Sequence, residues 1–531
     1  VDLLLTEPVT VEGTTQWLRD GKVEVRCLLE KGLLKGSVIL YLDRDGEVAF
    51  FAGEPGKGIG TRLLAIVENV AREKGLGRLW ARVLTSNEPA RRAFLKAGYE
   101  LDGSADGSWR GKPYEVHVFR RRIPVLGPER TATVREGKRD FIPFALPSIG
   151  EEEIAEVADS LRSGWLTTGP KAKRFEEEFA ASVGAPFALA VNSGTAAMHL
   201  ALEAIGLAEG EYVATSPFTF TATAEVIRYF NAHPLFVDVD PATGNIDPSE
   251  LERVVARARR EGKRIRAVLP VHFGGRACAM DDILSIARNH SLKVVEDAAH
   301  AFPCSYGGRK VGTIGDLTCF SFYATKTITT GEGGMVTTAD GEFERRIRMM
   351  RLHGITRDVW DRYTSSEADW FYEVAAPGFK YNLTDIAAAI GIHQLRKAET
   401  FRLRREAIGL RYTEAFSGLP VRLPGTIGLP PGSIHAWHLY VLRLDLDRLS
   451  IDRDGFIERM AKMGIGTSVH FIPLHLHPYW KERYGFSPED FPASLDLFRR
   501  CVSLPIYPLM SDEDVDRVIE ADREILTATT R

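Results

Sequence analysis

One lysine of this chain stands where an apolar run gives way to permissive backbone: Asp316-Leu-Thr-Cys-Phe-Ser-Phe-Tyr-Ala-Thr-Lys326 leads into Thr329-Thr-Gly-Glu-Gly-Gly334. A second apolar run, Leu292-Lys-Val-Val-Glu-Asp297, ends on a carboxylate 29 positions earlier (326 − 297). An amine that can form a Schiff base and an acid that can keep a pyridine nitrogen protonated are what pyridoxal phosphate chemistry asks of a protein. Each residue alone also fits an ordinary role. Lys326 could be a solvated charge, and Asp297 could cap a helix beginning at Ala298-Ala-His300.

A third element is suited to hold a phosphate. In Phe187-Ala-Leu-Ala-Val-Asn-Ser-Gly-Thr195 an apolar run turns through Asn192-Ser193-Gly194-Thr195 into a segment where Met198, Leu202 and Ile205 recur at helical spacing. Such a turn offers unpaired N–H groups and the positive end of a helix dipole to an anion. Taken singly, a Ser-Gly-Thr turn is common.

Together the three match a known pattern. The carrying residues are Ser163-Gly-Trp-Leu-Thr-Thr-Gly169, Asn192-Ser-Gly-Thr195, Pro217-Phe-Thr-Phe220, Val237-Asp-Val-Asp240, Glu296-Asp-Ala-Ala-His300, Ser321-Phe-Tyr-Ala-Thr-Lys326, Arg351-Leu-His-Gly354 and Gly378-Phe-Lys-Tyr-Asn-Leu-Thr-Asp385. From Phe141 to the C-terminus the chain resembles the DegT/StrS-type nucleotide-sugar aminotransferases, of the aspartate aminotransferase (type I) fold. The resemblance implies a large mixed-sheet domain over about 150–390 and a small α+β domain over about 391–531.

It also implies roles. Lys326 would carry pyridoxal 5'-phosphate and move a proton between substrate and cofactor carbons; Asp297 would face the pyridine nitrogen; His300 would lie near the cofactor ring, unless it is a helix-surface histidine. Gly194, Thr195 and Ser321 would hold the phosphate. Phe220, or Phe218 in its place, would lie against the cofactor face, either being first a core candidate. Asn382 would reach the phosphate from a neighbouring subunit, making a homodimer with composite active sites. Relatives with histidine at the lysine position dehydrate sugars; Lys326 favours transamination, with a nucleotide-linked keto-sugar as acceptor and glutamate as donor. In Gly466-Thr-Ser-Val-His-Phe-Ile-Pro-Leu-His-Leu-His-Pro-Tyr479, His470 is a candidate for sugar or carboxylate contact. Metal ligation by His470, His475 and His477 is disfavoured, since no carboxylate or cysteine falls at ligand spacing among them.

Ahead of this region, 121–140 is polar and basic with Pro124, Gly127 and Pro128, and reads as a linker. The formal net charge of −4 argues against nucleic acid as its partner. Residues 1–120 carry Gly53-Glu-Pro-Gly-Lys-Gly-Ile-Gly60, entering a helix in which Leu63, Leu64, Val67 and Val70 share a face, and Thr85-Ser-Asn87-Glu-Pro-Ala90-Arg-Arg-Ala-Phe94, ending in Gly98-Tyr99. These resemble the acetyl-CoA-binding core of the GNAT N-acetyltransferases. The resemblance implies acetyl-CoA as co-substrate, held by Gly56, Gly58, Gly60 and Asn87. Pro55 and Phe94 depart from it, Phe94 standing where many members place a proton-donating tyrosine. Tyr99 or water would then donate and Glu54 is the nearest candidate base; the alternative is a truncated or degenerate domain that binds CoA or only packs.

The elements that must position the larger region's residues are legible as an alternation. Apolar strands such as Phe236-Val-Asp-Val, Ala267 to Val271 and Val294-Val295 alternate with helix-like stretches, Leu251 to Arg260 and Asp281 to Arg288, which predicts a largely parallel sheet covered by helices. Ligands collect beyond the carboxyl ends of such strands, where Asn192, Asp297 and Lys326 all fall. Hydrophobic content of 44% and charged content of 26% suit soluble globular domains. No apolar run reaches the roughly 20 residues of a membrane span. Five scattered cysteines without CxxC spacing fit reduced thiols and a cytoplasmic enzyme. A regulator that keeps the cofactor pocket without turnover is the reading from another class.

Overall fold

The computed structural model describes residues 23–30, 33–41, 47–52, 63, 64, 67, 78–84, 87–109, 112–122, 141–356, 372–425 and 428–531. The chain divides into two compact units, Val1–Glu136 and Gly137–Arg531.

In the first unit β1 (Val23–Glu30), β2 (Leu33–Tyr41), β3 (Glu47–Ala52), β4 (Arg78–Leu84), β5 (Glu100–Trp109) and β6 (Lys112–Arg122) form one sheet in the order β1-β2-β3-β4-β6-β5. Helix α1 (Glu88–Lys96) joins β4 to β5. Leu63, Leu64 and Val67 are buried together, as their spacing predicts, against Phe94, Tyr99 and Phe119. Phe94 stacks on Phe119 at 5.6 Å and meets Tyr99 edge-on at 5.0 Å. Both Phe94 and Tyr99 are therefore core residues, and Tyr99 is no exposed proton donor. Asn87 caps α1, its Oδ1 accepting from Ala90 N at 3.2 Å. Glu54, Pro55, Gly56, Gly58, Gly60 and Val70 lie outside the described residues, as does 123–140 of the expected linker; β6 runs through its first two positions.

The second unit is built on a seven-stranded sheet. Its strands are β7 (Phe187–Val191), β8 (Tyr212–Thr215), β9 (His233–Phe236), β10 (Ile265–Leu269), β11 (Lys293–Asp297), β14 (Leu317–Ser321) and β15 (Gly334–Thr338), with a short hairpin of β12 (Ser305–Tyr306) and β13 (Arg309–Lys310) beside them. The order is β7-β15-β14-β11-β10-β8-β9, and only β15 runs against the rest. Side chains alternate between faces along a strand, and here both faces are covered. Ala188 and Ala190 of β7 enter one apolar cluster, Leu189 and Val191 the other. This is why the strands read as continuous apolar runs.

Helix α2 (Asp385–Ala415) ties this unit together. It passes through the expected boundary near 391, burying Ala388, Ile392 and Phe401 in the sheet's core and Ile408 and Tyr412 in a second core. That second core lies over an antiparallel sheet of β16 (Val421–Arg422), β17 (Tyr440–Leu444) and β18 (Cys501–Leu504), with helix α3 (Asp512–Thr529) packed into it. Cys278, Cys304, Cys319 and Cys501 are free thiols. No described helix is long and apolar enough to cross a membrane.

Asp522 of α3 is fully buried in the second core, and neither carboxylate oxygen has a hydrogen-bond partner. Burial alone drives its pKa well above the ordinary value. The folded chain thus keeps a proton that the unfolded chain loses, so stability falls as pH rises from about 4, at about 1.4 kcal/mol per unit while that difference lasts. Thermal melts should show Asp522→Asn with a smaller pH dependence between pH 5 and 7, and a gain of about 1–3 kcal/mol at pH 7.

Candidate active site

Six of the seven strands run the same way and bring their carboxyl ends to one edge, and the chemistry sits on two of them. Asp297 closes β11, registered against Cys319 of the neighbouring β14, and Lys326 follows β14 by five residues (326 − 321). The backbone of Asp297 is pinned on the other side as well, its N–H donating to Pro270 O at 2.9 Å and its carbonyl accepting from His272 N at 3.1 Å. The Asp297 carboxylate is buried and accepts from Thr223 Oγ1 at 2.8 Å and Ala299 N at 3.1 Å. Residues 298–300 form a turn rather than a helix, so the capping role is confined to that single N–H.

Burial raises the Asp297 pKa, against the pull of its two hydrogen bonds and of the Lys326 charge. Burial also pulls the Lys326 amine down to about 8, and the nearby Asp297 carboxylate opposes that fall. An amine so poised is partly unprotonated near neutrality, as a nucleophile or proton carrier must be. Beneath the pair, buried Glu296 accepts from Gly315 N and Thr318 Oγ1, both at 2.7 Å, and meets His272 Nε2 at 2.9 Å. His272 Nδ1 takes the Cys278 N–H at 3.0 Å, which leaves its own proton on Nε2 for Glu296. None of these supports was evident in the sequence.

The turn at Ser193-Gly194-Thr195 packs against Ser321 at the end of β14. Ser193 caps the helix Gly194–Ala204, accepting from Ala196 N at 3.0 Å, while Gly194 and Thr195 in its first turn have no acceptor within their own helix. Chain packing here is tight: a Cβ on Gly194 would lie 2.9 Å from Ser321 Cβ, and one on Gly334 would lie 2.5 Å from Ser193 O. The segment Lys380-Tyr381-Asn382 runs alongside, with Asn192 N donating to Tyr381 O at 2.8 Å. Asn382 itself is buried and donates to Thr168 Oγ1 of its own chain at 2.6 Å. Asp385, three residues on, fastens the start of the helix Pro170–Val183, accepting from Gly169 N, Lys171 N and Ala172 N at 2.7–3.0 Å.

Aromatic and imidazole rings close the site. His300 is buried, not a helix-surface residue, and its Nδ1 accepts from Gly274 N at 3.3 Å, placing the ring proton on Nε2. His470 meets Ser503 Oγ through Nδ1 at 2.8 Å; burial, and then the Lys326 charge, pull its pKa to about 4. Phe218 packs in the core against Phe273, whereas Phe220 is 62% exposed at the start of the helix Thr221–Arg228, the same helix that carries Thr223 to Asp297. His475 turns away to Pro488 O and His477 begins the helix Pro478–Tyr484, so the three histidines of that tract do not converge. Sequence reasoning passed over His438 and Phe471, whose rings lie against His300 at 4.4 and 5.8 Å.

A phosphorylated pyridine aldehyde fits this set of groups. The capped helix start and the close-packed glycines suit its phosphate, the buried acid its ring nitrogen, and the amine of depressed pKa its aldehyde.

The chain was compared with known proteins. The model of the DegT/DnrJ/EryC1/StrS aminotransferase family matches residues 147–522, and that of the acetyltransferase (GNAT) family matches residues 17–99. The spore coat polysaccharide biosynthesis protein SpsC of Bacillus subtilis is 50% identical over 390 residues, 73% of this chain and 98% of that protein. An uncharacterized protein of Methanocaldococcus jannaschii, MJ1066, is 50% identical over 390 residues, 73% of this chain and 99% of its own length. Among solved structures, the putative sugar aminotransferase Spr1654 of Streptococcus pneumoniae in its PLP form superposes with a TM-score of 0.67 at 31% identity, covering 73% of this chain and 99% of that one.

The electrostatics can be tested without a substrate. Competitive acylation of the cofactor-free protein, read by peptide mass spectrometry, should give Lys326 a midpoint near pH 8. Exposed lysines should titrate about two units higher. In Asp297→Asn the carboxylate that holds the Lys326 proton is gone, so the midpoint should move lower.

Proposed function

The chain belongs to the DegT/DnrJ/EryC1/StrS aminotransferase family, and we propose that it moves an amino group from glutamate to a keto-sugar carried on a nucleoside diphosphate, with pyridoxal 5'-phosphate held at Lys326. The observation that carries this reading is the electrostatic pairing of buried Asp297, at the end of β11, with half-buried Lys326, just beyond the end of the adjacent parallel strand β14. When bound, the cofactor supplies the electron sink that lets an amino group be taken from one carbon and given to another.

The residues divide the remaining work. Lys326 attaches the cofactor and, once released, carries a proton between carbons; its lowered pKa keeps a useful fraction unprotonated. Asp297, steadied by Thr223 and Ala299, holds the pyridine proton. Gly194, Thr195 and Ser321 take the phosphate, with Asn382 of a neighbouring copy completing a composite site in a homodimer. Phe220 offers a flat exposed face to the cofactor ring, and His300 presents its Nε2 proton. His470 lies near Lys326, where a sugar hydroxyl or a donor carboxylate would arrive. A cytoplasmic location agrees with the free thiols.

Dehydration, the neighbouring reaction, is disfavoured because a lysine and not a histidine occupies position 326. A cofactor-binding regulator is the other class; an absorbance band of the loaded protein that shifts on adding glutamate separates it from a working aminotransferase. For the first unit, we propose N-acetylation of the new amine. The sugar nitrogen attacks the acetyl-CoA carbonyl, an amide bond forms, the carbon–sulfur bond breaks, and CoA leaves as its thiol with the proton the nitrogen gives up. Phe94, buried and without a proton to give, leaves that transfer to another group or to water.

Borohydride reduction of the cofactor-loaded protein, followed by peptide mapping, should place the label on Lys326 alone. Lys326→Ala should lose amino transfer by about a thousandfold or more; a label elsewhere, or none, removes the reading. Screening nucleotide-linked keto-sugars with glutamate by mass spectrometry should reveal one whose keto oxygen is replaced by an amine. Supplying that product with acetyl-CoA should release free thiol; if none appears, the acetyl-transfer proposal fails while amino transfer stands.

A further inference from the structure

His438 takes no part in the chemistry assigned so far, yet it sits against the residue that does. Its ring centroid lies 4.4 Å from that of His300, with 41° between the planes, and Phe471 stacks on His300 at 5.8 Å and 17°. Both imidazoles are more than nine-tenths buried. The Nδ1 of His438 has no hydrogen-bond partner and no contact with solvent. Leaving a buried polar atom unpaired costs about 1–3 kcal/mol, so a side chain of that shape without a polar atom would make a more stable fold.

The backbone around His438 supports the same residue by a second route. Ala436 N donates to Gly275 O at 2.9 Å and Leu439 N to Gly274 O at 3.1 Å, and it is the N–H of Gly274 that fixes His300 Nδ1. Gly275 has a φ of +99°, and a Cβ there would lie 3.0 Å from the backbone nitrogens of Trp437 and His438. Arg405, inside α2, holds the segment from behind, its Nη1 donating to His438 O at 3.2 Å and Ile506 O at 2.6 Å. The charged and titratable groups facing the two rings are Lys326, Arg405 and His470. The first two are cationic, and a protonated imidazole between them would be repelled.

We propose that His438 is a positioning residue for His300: ring packing from one side and the Gly274–Gly275 turn from the other hold His300 in its Nε2–H form, facing the cofactor. The inference rests on the cofactor reading only for what His300 faces. The geometry of the two rings belongs to the chain itself.

Isotope-labelled histidine in the full chain, stripped of cofactor and loaded with it, reads the ring nitrogens directly; His300→Gln assigns the signal. The wild-type His300 is expected to carry its proton on Nε2 and to stay neutral well below pH 6.5. In His438→Ala it should exchange between tautomers and titrate closer to its ordinary value. The kcat for the glutamate half of the reaction should fall about tenfold or more with KM changed less than about twofold, and His438→Phe, which restores a flat ring, should recover most of the loss. A wild-type His300 protonated on Nδ1 overturns the proposal, as does a folded His438→Ala with unaltered His300 signals and kcat. Should the alanine variant not fold, a His438→Phe protein whose His300 has lost its single tautomer overturns it too. The stripped protein answers without any cofactor, so a failure here is distinct from a failure of borohydride labelling at Lys326.

Discussion

A buried acid and a half-buried amine act on each other's charge, and desolvation drives each towards its neutral form. For Asp297 that means a raised pKa, for Lys326 a lowered one, and each is partly restored by the other's charge. Neither group would be tolerable there alone. The register of β11 against β14 sets their separation, because Asp297 and Cys319 are paired across the sheet and the chain turns towards Lys326 immediately after Ser321. A slip of one residue would send the Asp297 carboxylate through to the opposite face.

That register is itself over-determined. Glu296, the residue before Asp297, points to the other side of the strand, where it takes up Gly315 N, Thr318 Oγ1 and His272 Nε2. Its neighbour His272 in turn binds the Asp297 carbonyl through its own N–H. Alternation along the strand thus gives one carboxylate to fastening and the next to chemistry. Thr223 completes the arrangement from the helix that begins at Phe220, so the stacking candidate and the hydrogen bond that steadies Asp297 arrive on the same rigid element.

What could be read from the residues alone follows from what is local. A strand ending on Asp297, a strand running out to Lys326 and a turn at Ser193-Gly194-Thr195 each announce themselves within a dozen positions, and the alternation of apolar runs with helical stretches fixes a parallel sheet around them. The supports were not readable because their partners are distant in the chain: Thr223 is 74 positions from Asp297, and Asp385 fastens backbone 213 to 216 positions away. The choice between Phe218 and Phe220 shows the same limit. One residue separates them, and only the packing of Phe218 on Phe273 shows which one the core takes. Asn87 illustrates the converse: a side chain that family resemblance directs to acetyl-CoA is occupied as a helix cap.

The distribution of charge explains why the imidazoles around the site must be neutral. Lys326 and Arg405 bring positive charge to the junction of the two sheets of the larger unit, and Asp297 is the carboxylate that bears on Lys326. Burial pulls even Arg405 to about 10, still protonated near neutrality. His300, His438 and His470 lie between these groups with pKa values pulled below the ordinary imidazole range, so they contribute hydrogen-bonding atoms without adding to the surplus. A pocket with this balance is short of negative charge, and an anionic cofactor with a phosphate at one end and an acidic ring oxygen near the other supplies it.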